Sequence, residues 1–179
     1  MRPEVPERIL LIGMMGAGKS TVGHALASRL GWPYLDSDEE IYRRTGHTVP
    51  EIWHSEGEAA FRVEEAAVLA DAVSTAEPAV VAVAGGAVLD PTNRTLIKGG
   101  GLVVWLRALT ETLVSRVGTG AGRPLLDGDP AGALTKLYDV RRPVYADLAD
   151  VAVDVDDRNP DQIVDAILVA RAERAGTGA

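Results

Sequence analysis

The segment Gly13-Met14-Met15-Gly16-Ala17-Gly18-Lys19-Ser20-Thr21 concentrates more usable chemistry than any other stretch of the chain. Glycine, four residues, then Gly-Lys-Ser is the spacing of a phosphate cradle. Glycines at these positions let a tight turn bring backbone N–H groups against phosphate oxygens. A helix starting near Lys19 points its positive end at the same anion. Lys19 adds a full positive charge against β- and γ-phosphates, and the Ser20 hydroxyl is a hard oxygen ligand suited to Mg²⁺. Gly16, Ala17, Gly18, Lys19, Ser20 and Thr21 are therefore the candidate contacts to a nucleotide tail. A glycine-rich turn without a ligand is the alternative, but an apolar run precedes this segment and a helical pattern follows it, which is the context a phosphate loop requires.

A second group of reactive side chains is Asp36-Ser37-Asp38. If the segment is extended, alternation puts both carboxylates on one side, facing the strand ends where open α/β sheets bind ligands. Asp36 could orient magnesium-bound water, which makes Ser20 and Asp36 the candidate metal residues. Asp38 could hold an acceptor hydroxyl and take its proton, or it could simply cap the helix that follows. Other phosphate-loop chemistries fit less well. No Asn-Lys-x-Asp segment is present to read a guanine base. The third and fourth apolar strands end in Ala84-Gly85-Gly86 and Leu106-Arg107, without the acid that large ATPases place there.

These groups need a scaffold, and the periodicity supplies one. Apolar runs at 8–12, ending at Tyr34-Leu35, at 80–84, 102–106 and 151–155 read as strands. Helical patterns fall between them: Lys19 to Leu30 closed by Gly31, Asp38 to Arg44, a helix capped by Thr48 with Pro50 in its first turn, and Glu58 to Ser74. Further on come a short helix from Asp90-Pro91, one capped by Thr110, one over 131–148 with a break at Pro143, and one starting at Asn159-Pro160-Asp161. Residues 118–130 are rich in Gly, Pro and Asp and are expected to loop; residues 176–179 are expected to fray. Strands alternating with helices predict an α/β fold, a three-layer α/β/α sandwich around a five-stranded parallel sheet, over one domain spanning 1–179.

Composition narrows the partners. The net charge of −8 disfavours a nucleic-acid backbone or an anionic membrane. No apolar stretch approaches the ~20 residues of a membrane helix. The chain has no cysteine, which removes disulfide and thiolate chemistry and fits a reducing cytoplasm. His24, His47 and His54 show no metal-ligand spacing. Trp32 and Trp105 read as packing residues, and Arg43 and Arg142 as solvated or weakly paired.

Over nearly its whole length the sequence resembles the shikimate kinases, a group of P-loop kinases of nucleoside-monophosphate-kinase-like fold. The resemblance rests on Gly13 to Thr21, Leu35-Asp36-Ser37-Asp38, Gly57-Glu58-Ala59-Ala60-Phe61-Arg62, Ala84-Gly85-Gly86-Ala87-Val88, Arg123-Pro124-Leu125-Leu126, Arg141-Arg142-Pro143-Val144-Tyr145 and Arg158-Asn159-Pro160, in the family's order and spacing. It implies ATP-dependent phosphorylation of the 3-hydroxyl of shikimate, giving shikimate 3-phosphate and ADP for aromatic amino-acid biosynthesis, with Mg²⁺, in a cytoplasmic monomer. By this resemblance Lys19, Asp38 and Arg123 are catalytic, with Asp38 as base. Arg62 and Arg141 grip the substrate carboxylate, a role guanidinium forks suit. Gly85 and Gly86 admit the substrate to the backbone, Glu65 braces the substrate arginine, and Trp53 and Phe61 line its pocket. Arg116, Arg158 and Pro160 fall on the adenine side. Helices within about 38–74 form the substrate side, and the loop at about 118–130 is a lid that carries Arg123. The sequence departs from the family at Ala84, where a first glycine is usual, and at Ala82, where many members carry a hydroxyl. Ala84 is therefore expected at negative φ. Kinases of other small polyol acids such as gluconate, and a non-catalytic nucleotide-binding module, are the competing possibilities.

Overall fold

The structure is a computed structural model describing residues 7–177. Five strands form one parallel sheet: β1 (Arg8–Ile12), β2 (Tyr34–Asp36), β3 (Ala79–Ala82), β4 (Leu102–Arg107) and β5 (Val151–Asp154). Their spatial order is β2-β3-β1-β4-β5, so β1 is central, with Leu10 opposite Val81 on one side and Val103 on the other. A strand covered on both faces should be apolar throughout, and residues 9–12 are indeed all buried. The helices are α1 (Lys19–Leu30), α2 (Ser37–Thr45), α3 (Val49–Ser55), α4 (Glu58–Ser74), α5 (Pro91–Gly100), α6 (Thr110–Val117), α7 (Pro130–Leu148) and α8 (Pro160–Thr177). α1 packs with α8, while α5 packs with α4 and α7.

Local sequence explains most boundaries. Gly31 ends α1 in a left-handed conformation. Thr48 and Glu51 form a reciprocal capping box at the start of α3. The Asp90 side chain accepts from the amides of Thr92 and Asn93 and so begins α5. Asn159 and Gln162 exchange side-chain-to-backbone hydrogen bonds at the start of α8.

Five expectations need correction. β3 ends at Ala82 rather than 84: its partner β2 ends opposite it at Asp36, and the chain then turns into the site. Thr110 lies inside α6; Leu109 precedes it, and its amide donates to Asp156 Oδ1 at 2.9 Å, so the cap comes from another segment. α7 is continuous through Pro143. A proline there removes a backbone donor and crowds the carbonyl four residues back, but buried Leu134, Arg141, Tyr145 and Leu148 anchor the helix on both sides of it. The loop at 118–130 contains a 3₁₀ turn at Pro124–Leu126. α8 continues through residue 177, and residues 178 and 179 lie outside the described part.

Candidate active site

β1 delivers the chain to Gly13, whose φ is 145° and where a Cβ would lie 2.7 Å from the Leu106 carbonyl oxygen. No other residue fits so close to the neighbouring strand. The loop then turns through Gly16 and Gly18, both at positive φ, into α1. Lys19 curls back over it, and its Nζ donates to Gly13 O at 2.7 Å and Met14 O at 3.1 Å. Loss of hydration pushes the Lys19 ammonium down to about 8; Asp38 and Asp36 resist that shift, and Arg141 and Arg123 add to it. Arg116 on α6 donates to Gly16 O at 3.2 Å and stands over the same loop.

Asp36 closes β2 and caps α2, its Oδ1 accepting from the Asp38 amide at 3.0 Å. Asp38 is thus neither in extended chain nor the cap; it sits in the first turn of α2. Both carboxylates still reach the cleft, because the strand end and the helix start share it. The Asp38 carboxyl is pushed above the usual carboxylate range, first by desolvation and then by Asp36, against the pull of Lys19 and Arg123. Its side chain is open to water within the cleft, which tempers this push.

Facing these groups, α4 contributes Arg62, whose Nη1 lies 2.9 Å from Glu65 Oε2 and whose Nη2 lies 3.2 Å from Glu58 Oε1. Its guanidinium stands 5.1 Å from the Phe61 ring and 5.8 Å from that of Trp53. Arg141 on α7 is 1% exposed, its Nε lacks a partner, and it forms no ion pair among the described residues. Both arginines abut the turn after β3. A Cβ on Gly86 would lie 2.6 Å from Arg62 Nη1, and one on Gly85 would lie 3.1 Å from Arg141 Nη1. Neither glycine has positive φ; each leaves room for a guanidinium. Ala84 has negative φ, as expected, since no described non-glycine residue is at positive φ.

One cleft of about 870 Å³ gathers all of these groups. Gly16 to Thr21 form its phosphate end, with Asp36 and Asp38 beside them. Trp53, Phe61, Arg62, Glu65, Gly85, Gly86 and Arg141 line one side; Arg116, Arg123, Arg158 and Pro160 line the other. Every residue singled out from the sequence for a site role therefore faces the same space. Sequence reasoning passed over Val49, Pro50 and Tyr42, which extend the wall beside Trp53. It also passed over the Tyr145 hydroxyl, which donates to Gly85 O at 2.8 Å; its place four residues after Arg141 on one helix face was the available signal. His24 packs against Tyr34 with the rings tilted, and no group of three His, Cys, Asp or Glu among the described residues could hold a metal ion. Trp105 is buried against Tyr145 and Trp32 lies under Arg171, both outside the cleft.

For a divalent cation the available donors are hard oxygens: Ser20 Oγ and Asp36 Oδ2, 3.1 Å apart, next to Lys19. With so few protein ligands, the cation would take its remaining oxygens from phosphates and water, which is the habit of Mg²⁺.

A phosphate loop, paired carboxylates and two arginines converging beside a small-molecule cleft, on a five-stranded parallel sheet, define a P-loop kinase acting on a small anionic acceptor. The chain belongs to the shikimate kinase family: its residues 15–171 match the family described as Shikimate kinase. It is 44% identical over 166 residues to the shikimate kinase of Pseudomonas syringae pv. tomato, covering 92% of this chain and 96% of that one. Among solved structures, shikimate kinase from Acinetobacter baumannii in complex with shikimate superposes with a TM-score of 0.90 at 37% identity, over 96% of each chain. A gluconokinase from Sinorhizobium meliloti superposes less well, at a TM-score of 0.64 and 25% identity over 97% of this chain and 95% of that one.

Proposed function

We propose that this protein transfers the γ-phosphoryl group of ATP to the 3-hydroxyl of shikimate, yielding shikimate 3-phosphate and ADP. The observation that carries this is the convergence of Arg62 and Arg141 on adjacent glycines of the turn that faces Asp38 and Lys19. A buried guanidinium without an acidic partner, such as Arg141, is costly unless an anion completes it. A carboxylate bound between the two arginines leaves the ring hydroxyls of a cyclic acid toward Asp38. Trp53 and Phe61 supply an apolar wall for the ring, and Glu65 holds Arg62 in place. Arg116, Arg158 and Pro160 hold the adenine side.

In this arrangement the acceptor oxygen attacks the γ-phosphorus as the bond to the departing ADP oxygen breaks, and the hydroxyl proton passes to Asp38. Such transfers need alignment and charge neutralisation rather than covalent help from the protein. Lys19 and Arg123 spread the charge of the transferring group. Mg²⁺, held by Ser20 with Asp36 behind it, supplies further charge neutralisation when bound. The loop at 118–130 closes over both substrates and excludes water. A cytoplasmic monomer in the route to aromatic amino acids belongs to the same proposal; the lack of cysteine fits a reducing compartment, and no described helix is long and apolar enough to cross a membrane.

The deciding experiment measures ADP release with shikimate as acceptor, gluconate as its rival and Lys19→Ala as control. Shikimate-dependent release that is absent in the control supports the proposal. Preference for gluconate, or nucleotide binding without transfer to any acid, would sink it.

A further inference from the structure

The Asp36 carboxylate collects three hydrogen bonds. Oδ2 accepts from Tyr34 Oη at 2.8 Å and from Ser20 Oγ at 3.1 Å, and Oδ1 accepts from the Asp38 amide at 3.0 Å. Ser20 belongs to the phosphate loop and the amide begins α2, but Tyr34 has no part in the chemistry described above.

Its path to Asp36 is a built one. Tyr34 and Asp36 are two residues apart on β2 and so share one face of the strand. On that side Gly23 of α1 leaves space for the phenol ring: a Cβ there would meet Tyr34 Cε2 at 2.3 Å. The ring of His24 lies 3.9 Å from the tyrosine ring, centroid to centroid. The hydroxyl is thus carried beside α1 to the Asp36 carboxylate. On the neighbouring strand the residue registered with Asp36 is Ala82, whose side chain offers no donor. Apart from Ser20, Tyr34 is the one side chain that donates to Asp36 among the described residues.

This matters for Ser20. A hydroxyl has one hydrogen and two lone pairs. When its hydrogen is given to Asp36 Oδ2, the lone pairs are free to face the cleft, which is what a cation ligand must offer. That orientation lasts only while Oδ2 stays in place.

We propose that Tyr34 is a positioning residue for the divalent cation of the nucleotide: its hydroxyl fixes Asp36 Oδ2 so that this oxygen takes the Ser20 proton and leaves the Ser20 oxygen presented to the cation. This rests on the cleft being a magnesium-nucleotide site.

The test is ADP binding by titration calorimetry, in Mg²⁺ and in EDTA, without any acceptor, for wild type and Tyr34→Phe. The variant should keep its metal-free affinity and lose about three- to tenfold of the gain that Mg²⁺ gives, the scale of one typical net hydrogen bond. In an Asp36→Asn background the same substitution should cost nothing further, because the two residues act as one unit. A full magnesium gain in Tyr34→Phe overturns the proposal. So does an equal loss with and without the metal, which would mark the ring as packing alone. A wild-type protein whose ADP affinity ignores Mg²⁺ strikes the metal site itself, and the inference falls with it.

Discussion

Arg62 and Glu65 meet across one turn of α4, with the guanidinium Nη1 at 2.9 and 3.1 Å from the two carboxylate oxygens. Pairs at this spacing are common on helix surfaces and contribute little there. This one differs because Glu65 is 2% exposed. Burial pushes its carboxyl above the usual range, and Arg62 pulls it back only in part. Desolvation therefore outweighs the pairing, and the pair serves to aim Arg62 rather than to strengthen the fold.

Glu65→Gln should separate those two roles. A carboxyl whose folded value is raised favours folding while protonated, and that advantage is lost as pH rises through the folded value. Removing the group should flatten this dependence and leave the variant at least as stable at pH 8, as read from thermal midpoints. Arg62 keeps Glu58 at 3.2 Å but loses its aim. KM for shikimate should rise about tenfold, on the scale of one charged hydrogen bond, with kcat changing less. Unchanged KM would remove Glu65 from substrate binding.

Lys19 sets a pH dependence of opposite kind. In the ligand-free protein its value lies near 8, below the ordinary 10.5, chiefly because it is desolvated. Phosphates entering the loop restore the charged form. Nucleotide binding above pH 8 should therefore take up protons, and affinity should fall as pH rises further. Calorimetry in two buffers of different ionisation heat measures the uptake, which should vanish in Lys19→Met. The sign for stability is also fixed: a lysine lowered on folding costs stability below about pH 8, and the cost fades toward 10.5. Lys19→Met should thus raise the ligand-free melting temperature at pH 7.

Much of this site could be read from residue types because its parts are local. The phosphate loop, its lysine and the caps at Thr48, Asp90 and Asn159 depend on neighbours within a few residues. Asp36 and Asp38 reached the right cleft for the wrong local reason. Alternation in an extended segment was expected, whereas a strand end capping the next helix achieves the same convergence. Pro143 misled because helix propensity is local and the anchoring of α7 through Arg141 and Tyr145 is tertiary. The links from Tyr145 to Gly85 and from Arg116 to Gly16 span 60 and 100 residues, and no periodicity in one sequence reports them.

Asp38 should behave as a base with a raised value. Activity should fall on the acid side at a pH above the ordinary carboxylate range, since only the ionised form accepts the proton. Asp38→Asn should lower kcat by about 10²- to 10⁴-fold while leaving ADP affinity nearly intact. A variant with wild-type kcat would remove Asp38 from proton transfer.

Arg123 rides on a loop that is only partly free. Its amide donates to Gly120 O at 3.0 Å, and its carbonyl accepts from Leu126 N at 2.9 Å. Leu126 is 1% exposed, held in the core at the end of the 3₁₀ turn. Gly118, Gly120 and Gly122 before the turn, and Gly128 after it, all have positive φ. The turn is thus pinned between two glycine-bearing arms, and the closure proposed for this loop would move the arms while Leu126 stays seated. Two substitutions should then separate. Arg123→Ala should lose about 10³-fold in kcat, the scale of one transition-state arginine, with little change in melting temperature or in KM for shikimate. Leu126→Ala removes the pin and should cost about 2–5 kcal/mol of stability, as other buried leucine truncations do. It should also raise acceptor-independent ATP hydrolysis, since a loosened loop no longer excludes water. Full turnover in Arg123→Ala, or a Leu126→Ala protein that melts like wild type, would contradict this division between a chemical arm and a structural pin.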